Sequence, residues 1–131
     1  MYYFDGSSDP NAMHGVRITA VRVAGRTLNS NGNVVLRGAD EPTFAVTVGN
    51  EGEVPERGVE VEVILNTRAE RQSESKTIAR LESKKVTMVE VGGFIPGELD
   101  ETAKVTVEAG PVEYEKRTAN NILTGTVTFG I

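Results

Sequence analysis

Cysteine is absent from the 131 residues, and histidine occurs once, at His14. Without thiols the chain can hold no disulfide, thiolate zinc site, iron–sulfur cluster or cysteine nucleophile, and one imidazole excludes any multi-histidine metal site. Tryptophan is missing as well, and aromatic residues make up 5% of the chain. Sugar binding by ring stacking is poorly served: Phe44 and Phe129 belong to the core pattern, and Tyr2, Tyr3 and Tyr114 are the obvious rings outside it. No run approaches the ~20 apolar residues that cross a bilayer. No basic start leads into an apolar stretch, so no signal peptide is read. Positive charge is in deficit, 14 Lys+Arg against 19 Asp+Glu for a net −5. Nucleic acid is therefore not an expected partner, because phosphate binding draws its affinity from surplus Lys and Arg. No G-x-S-x-G, Walker loop or H-E-x-x-H occurs, so no cofactor and no enzymatic activity are expected.

What remains is a chain of one-domain size with strong β character. Residues 1–15 stand apart. An aromatic Tyr2-Tyr3-Phe4 cluster precedes the turn formers Gly6 to Asn11, and the stretch reads as a linker or the tail of a preceding domain. From Val16 onward Val, Ile, Thr and Phe dominate and alternate with polar residues, so residues 16–131 read as the folded domain. Thr43–Val48 sends Phe44, Val46 and Val48 inward; 59–65 sends Val59, Val61 and Val63 inward and Glu60 and Glu62 outward. Residues 103–109 alternate in the same way, and Leu123, Val127 and Phe129 anchor the last strand. In 16–23 the parity changes, because Val16 and Ile18 point one way and Val21 and Val23 the other. One extra residue near Ala20, a β-bulge, reconciles them, and such first strands often pair with one sheet and then the other. Residues 66–75 read as a loop and 77–81 as a strand anchored by Ile78; a helix over 68–81 fails because its apolar residues crowd at one end. The pattern predicts an all-β fold: an immunoglobulin-like Greek-key β-sandwich of about seven strands in two antiparallel sheets, with a closed barrel as the alternative.

Three segments resemble a known family. Phe44–Gly52 is a strand ending in a V-x-N-x-G turn; Val59–Leu65 leads to Lys76–Leu81; and Ala103–Asn121, ending in an Asn-Asn pair, leads to Thr124–Phe129. This order is similar to the bacterial and archaeal cell-adhesion-related (CARDB) domains, over about Val16 to Ile131. The resemblance implies a non-catalytic module of a larger envelope or secreted protein, serving as spacer, presentation or adhesion domain in an extracytoplasmic setting. Its partners would be other domains of the same polypeptide and a protein or cell-surface ligand, met through edge strands or the end loops 49–58 and 110–121. Direct membrane insertion by this segment is not expected.

The residues carrying the resemblance also have a folding role. Asn50 before Glu51-Gly52 suits a turn in which the side chain bonds its own backbone, and it tolerates the left-handed region. Asn120 and Asn121 suit the same work before the last strand. Other constellations are weaker. Asp5, Ser7, Asp9 and Asn11 alternate like half a calcium loop, but Pro10 and Val16 stand where that loop needs Gly and Glu. Glu51, Glu53 and Glu56 with Asp40 and Glu41 read as a solvated rim, with a calcium- or carbohydrate-binding module as the competing function. His14 lies in the linker with no base or nucleophile near it in sequence.

Overall fold

The computed structural model describes residues 14–37, 40–110 and 121–130. Among these described residues nine strands follow in chain order: β1 Val16–Val23, β2 Arg26–Thr27, β3 Asn33–Leu36, β4 Phe44–Asn50, β5 Glu56–Asn66, β6 Arg71–Leu81, β7 Val86–Val91, β8 Thr102–Ala109 and β9 Ile122–Phe129. They form two sheets, ordered β2-β1-β4-β7 and β3-β9-β8-β5-β6. The chain crosses between sheets after β2, β3, β4, β6 and β7 and stays within one sheet from β1 to β2, from β5 to β6 and from β8 to β9. The interior between the layers is aliphatic. Val46, Val48, Val59, Val61, Val63, Leu65, Val105 and Val107 are fully buried. Phe44 and Phe94 meet edge to face, with ring centres 5.7 Å apart and planes at 89°, the geometry favoured by the ring quadrupole. With no Trp and no disulfide, burial of these side chains at roughly 1.5–3 kcal/mol each is what holds the layers together.

The alternating faces are those of the sequence pattern, with some differences. The parity change in β1 is a bulge: Ile18 pairs with Val48 and Ala20 with Thr47, leaving Thr19 as the extra residue. β1 nevertheless stays in one sheet along its whole length, and the change of sheet falls to β3. β3 lies parallel to β9, Asn33 opposite Thr126 and Leu36 opposite Phe129, so one ladder of the second sheet is parallel. The strand count rises from seven to nine because β2 has two residues and β3 four, too few to alternate legibly. Ala24 and Gly25, at φ of 52° and 73°, form the tight turn joining β1 to β2, and two positive φ values suit the right-handed twist of a hairpin. Gly125 in β9 lets Leu28 and the 29–32 turn close on the strand, since a Cβ there would lie 2.8 Å from Leu28 Cδ1.

The stretch 66–75, expected as a loop, is mostly strand. β6 begins at Arg71 and pairs with β5 all the way to Asn66. It escapes the period-2 pattern because it is an edge strand with little covering it. Gln72, Glu74 and Lys76 share a face with Leu65, Val63 and Val61, yet Glu74 and Lys76 remain exposed.

Candidate functional site

The polar side chains that are buried among the described residues are His14, Asn50, Glu56 and Asn121. The topology brings all four to one pole. β4 ends there at Asn50 and β1 begins there, Val16 opposite Asn50. β5 begins there at Glu56 opposite Leu81, and Asn121 immediately precedes β9.

Asn50 is the hub. Its Nδ2 donates to the carbonyls of Val54 and Leu81, both at 2.9 Å, and its Oδ1 accepts the Gly52 amide at 2.8 Å. Its backbone amide donates to Lys85 O, and its carbonyl accepts from Lys84 N. One side chain therefore closes the β4–β5 turn on itself and fastens it to the end of β6 in the other sheet. Its φ is not positive, so the left-handed option goes unused here; Lys84 takes that conformation instead, at φ 61°. Ser83 Oγ adds a 2.6 Å bond to Gly52 O, and Lys84 Nζ one of 2.6 Å to Glu51 O. Asn121 is 1% exposed. Asn120 lies outside the described residues, as do Tyr2, Tyr3, Tyr114 and the Asp5-Ser7-Asp9-Asn11 series.

His14 departs from the reading of its sequence. Its side chain is fully buried, and Nδ1 lies 2.7 Å from Oε2 of Glu56, itself 3% exposed. With Glu56 ionised, Nδ1–H donates this bond; with Glu56 protonated, Nδ1 accepts it. The signal could not be read from the chain because the two residues are 42 positions apart. The neighbouring backbone is fixed as well, since the Glu51 amide donates to Gly15 O at 3.0 Å. The segment leading into β1 is thus fastened to the sandwich by a buried side-chain contact and a backbone bond.

The acidic rim is dispersed. Glu56 is interior, whereas Glu51 is exposed and faces Arg17 at 3.4 Å. Asp40 and Glu41 precede β4 and Glu51 follows it, so the seven-residue strand, roughly 23 Å at ~3.3 Å per residue, separates the two groups. Asp40 instead accepts the Arg37 amide at 2.9 Å. Among the described residues no three His, Asp or Glu side chains gather as metal ligands. A shallow depression of about 530 Å³ opens at the other pole, lined by Arg22, Gly25, Thr43, Ala45, Met88 and Glu90. It shares no residue with the buried polar cluster. The His14–Glu56 pair is enclosed by the fold, with side-chain exposures of 0% and 3%. The arrangement does positional work.

Two sheets joined by crossovers around an aliphatic interior, with the polar hub of a V-x-N-x-G turn at one pole, define an immunoglobulin-like β-sandwich. Residues 28–125, 98 of the 131, match the CARDB family model, and the chain belongs to that family. No curated protein matches the chain.

Proposed function

We propose that this chain is a non-catalytic, extracytoplasmic module of a larger envelope or secreted protein, which spaces or presents its neighbours and contributes to adhesion. The observation that carries the reading is the course of the backbone. The described chain enters at the polar pole, at His14 and Gly15, and reaches the opposite pole at the end of β9, Phe129–Gly130. The two ends of the described sandwich are thereby set apart by the length of the strands, about 26 Å for eight residues at ~3.3 Å each. The buried His14–Glu56 contact fixes the backbone where the described chain enters the sandwich, which suits a spacer. Membership of the CARDB family supports the same reading. Neighbouring domains of the same polypeptide are the first partners, and a protein or cell-surface ligand the second.

Surface accessibility tests it. In cells producing the whole gene product, an epitope placed in the exposed 67–70 turn should be labelled by an impermeant reagent without lysis. Labelling only after lysis refutes the extracytoplasmic placement. Calcium and a glycan panel test the competing ligand-binding function: a melting midpoint raised by either, through linkage, would displace the spacer reading.

A further inference from the structure

Among the described residues the two sheets expose four edges, and three of them are guarded. β2 has two residues and covers only Arg22 and Val23 of β1, whose remaining edge is broken by the Thr19 bulge and carries the exposed Arg17, while Arg26 caps Val35 O of edge strand β3 at 2.5 Å. β3 has only four residues. β6 is long, but it carries Glu74 and Lys76 on its inner face, and its Gln72 amide engages Ile95 through two bonds, Nε2 to O at 2.9 Å and Oε1 from N at 2.8 Å. Short strands and inward-pointing charges are how β-proteins blunt edges against pairing. β7 has neither device. It is six residues long, has no proline or bulge, carries only Thr87, Val89 and Val91 on its inner face, and exposes Val86 and Met88 at 63% and 56% on its outer face.

Its backbone is poised as well. Asn50 N donates to Lys85 O, so the odd-numbered residues of β7 turn their amides and carbonyls toward β4. By the alternation of an antiparallel ladder, Val86, Met88 and Glu90 turn theirs outward from the sheet.

We infer that β7 is a pairing edge for a second copy of this chain, joined antiparallel about a two-fold axis through Thr87. Two features favour a copy over an unrelated strand. The axis sets Val86 of each chain against Met88 of the other in the outward-bonding positions, so both exposed apolar side chains gain an apolar neighbour twice over. The strand is also charged oppositely at its two ends, Lys84 and Lys85 before it and Glu90 near its close, so antiparallel self-pairing brings unlike charges together at both ends. The result is one eight-stranded sheet, β2-β1-β4-β7 continuing into the same strands reversed. A single strand pair buries less than the ~1,200–2,000 Å² of a stable interface, so the dimer forms at high local concentration, as on a crowded surface.

Sedimentation of the whole chain from micromolar to millimolar concentration should show a reversible monomer–dimer equilibrium. The Val86→Lys/Met88→Lys double variant should lose the dimer and keep its melting midpoint, since both side chains already face water. Because the chain has no cysteine, Thr87→Cys supplies the only thiol. Directly opposed Cα atoms ~4.5 Å apart accept a disulfide, so this variant should form covalent dimers under mild oxidation faster than Ser75→Cys on the outer face of β6. A chain monomeric at millimolar concentration, a dimer that survives the double lysine variant, or Thr87→Cys cross-linking no faster than Ser75→Cys would each overturn the inference.

Discussion

At the scale of single residues, the polar pole shows how an identical side chain can be decorative or indispensable. Asn50 leaves no unit of its amide idle. Truncation to alanine strands the buried Leu81 carbonyl, the part-buried Val54 carbonyl and the buried Gly52 amide, and each buried group left without its bond costs roughly 1–3 kcal/mol. Asn50→Ala should therefore lower the free energy of unfolding by about 2–4 kcal/mol, read from a shift in the urea midpoint at unchanged slope. His14 and Glu56 should behave as a unit. Removing either alone leaves the other polar group buried and costs about 3–5 kcal/mol, whereas replacing both by apolar residues of similar volume recovers much of that loss. A double-mutant cycle built on His14→Leu and Glu56→Met checks this, and additivity of the two single effects would refute the coupling. The turn role of Asn50 was readable locally, because donor, acceptor and turn lie within four residues. Its bond to Leu81, 31 positions away, and the His14–Glu56 pair were not, since nothing in a one-dimensional pattern reports which distant loop shares a pole.

At the scale of strands, legibility followed burial. β4, β5, β8 and β9 each have one face against the other sheet, and their alternation shows through as mainly apolar residues on every second position. The bulge in β1 was legible for the same reason, as a break in parity. It also makes a sharp expectation. Deleting Thr19 removes the extra residue and puts Val16, Ile18, Val21 and Val23 in one continuous alternation, so the shortened chain should still unfold cooperatively. Deleting Ala45 from β4 instead drives Phe44 to the opposite face from Val46 and Val48, and the core cannot then form. Calorimetric melting of the two deletions distinguishes them: a broad, non-cooperative melt for the Thr19 deletion would show that the bulge itself is required. β6 was illegible over 71–76 because an edge strand with solvent on both sides has no apolar face to betray it. β2 and β3 were illegible because their length is below one period of evidence.

At the scale of the whole molecule, the course of the chain from one pole to the other determines how load would pass through it. Tension applied at His14 and Gly130 draws β1 along β4, so the bonds of that ladder from Val16–Asn50 to Val23–Phe44 are loaded together in shear. Tension applied through Val86 draws β7 sideways and breaks its bonds to β4 one after another. Forced unfolding is governed by the barrier along the pulled coordinate, so single-molecule extension between the two poles should need a clearly higher force than extension through a linkage at Val86. Equal forces would remove the mechanical argument for a spacer. The amino-acid order by itself determined that this chain is β, where its buried faces lie and that water is excluded between two aliphatic layers, because the period of apolar residues is a local property of the backbone. Only the tertiary structure decided which ends share a pole, that a histidine placed in a linker is sealed against a distant glutamate, and that among the described residues β7 forms a sheet edge with neither a bulge nor an inward charge. Those are relations between segments far apart in the chain, fixed by how the layers close on one another.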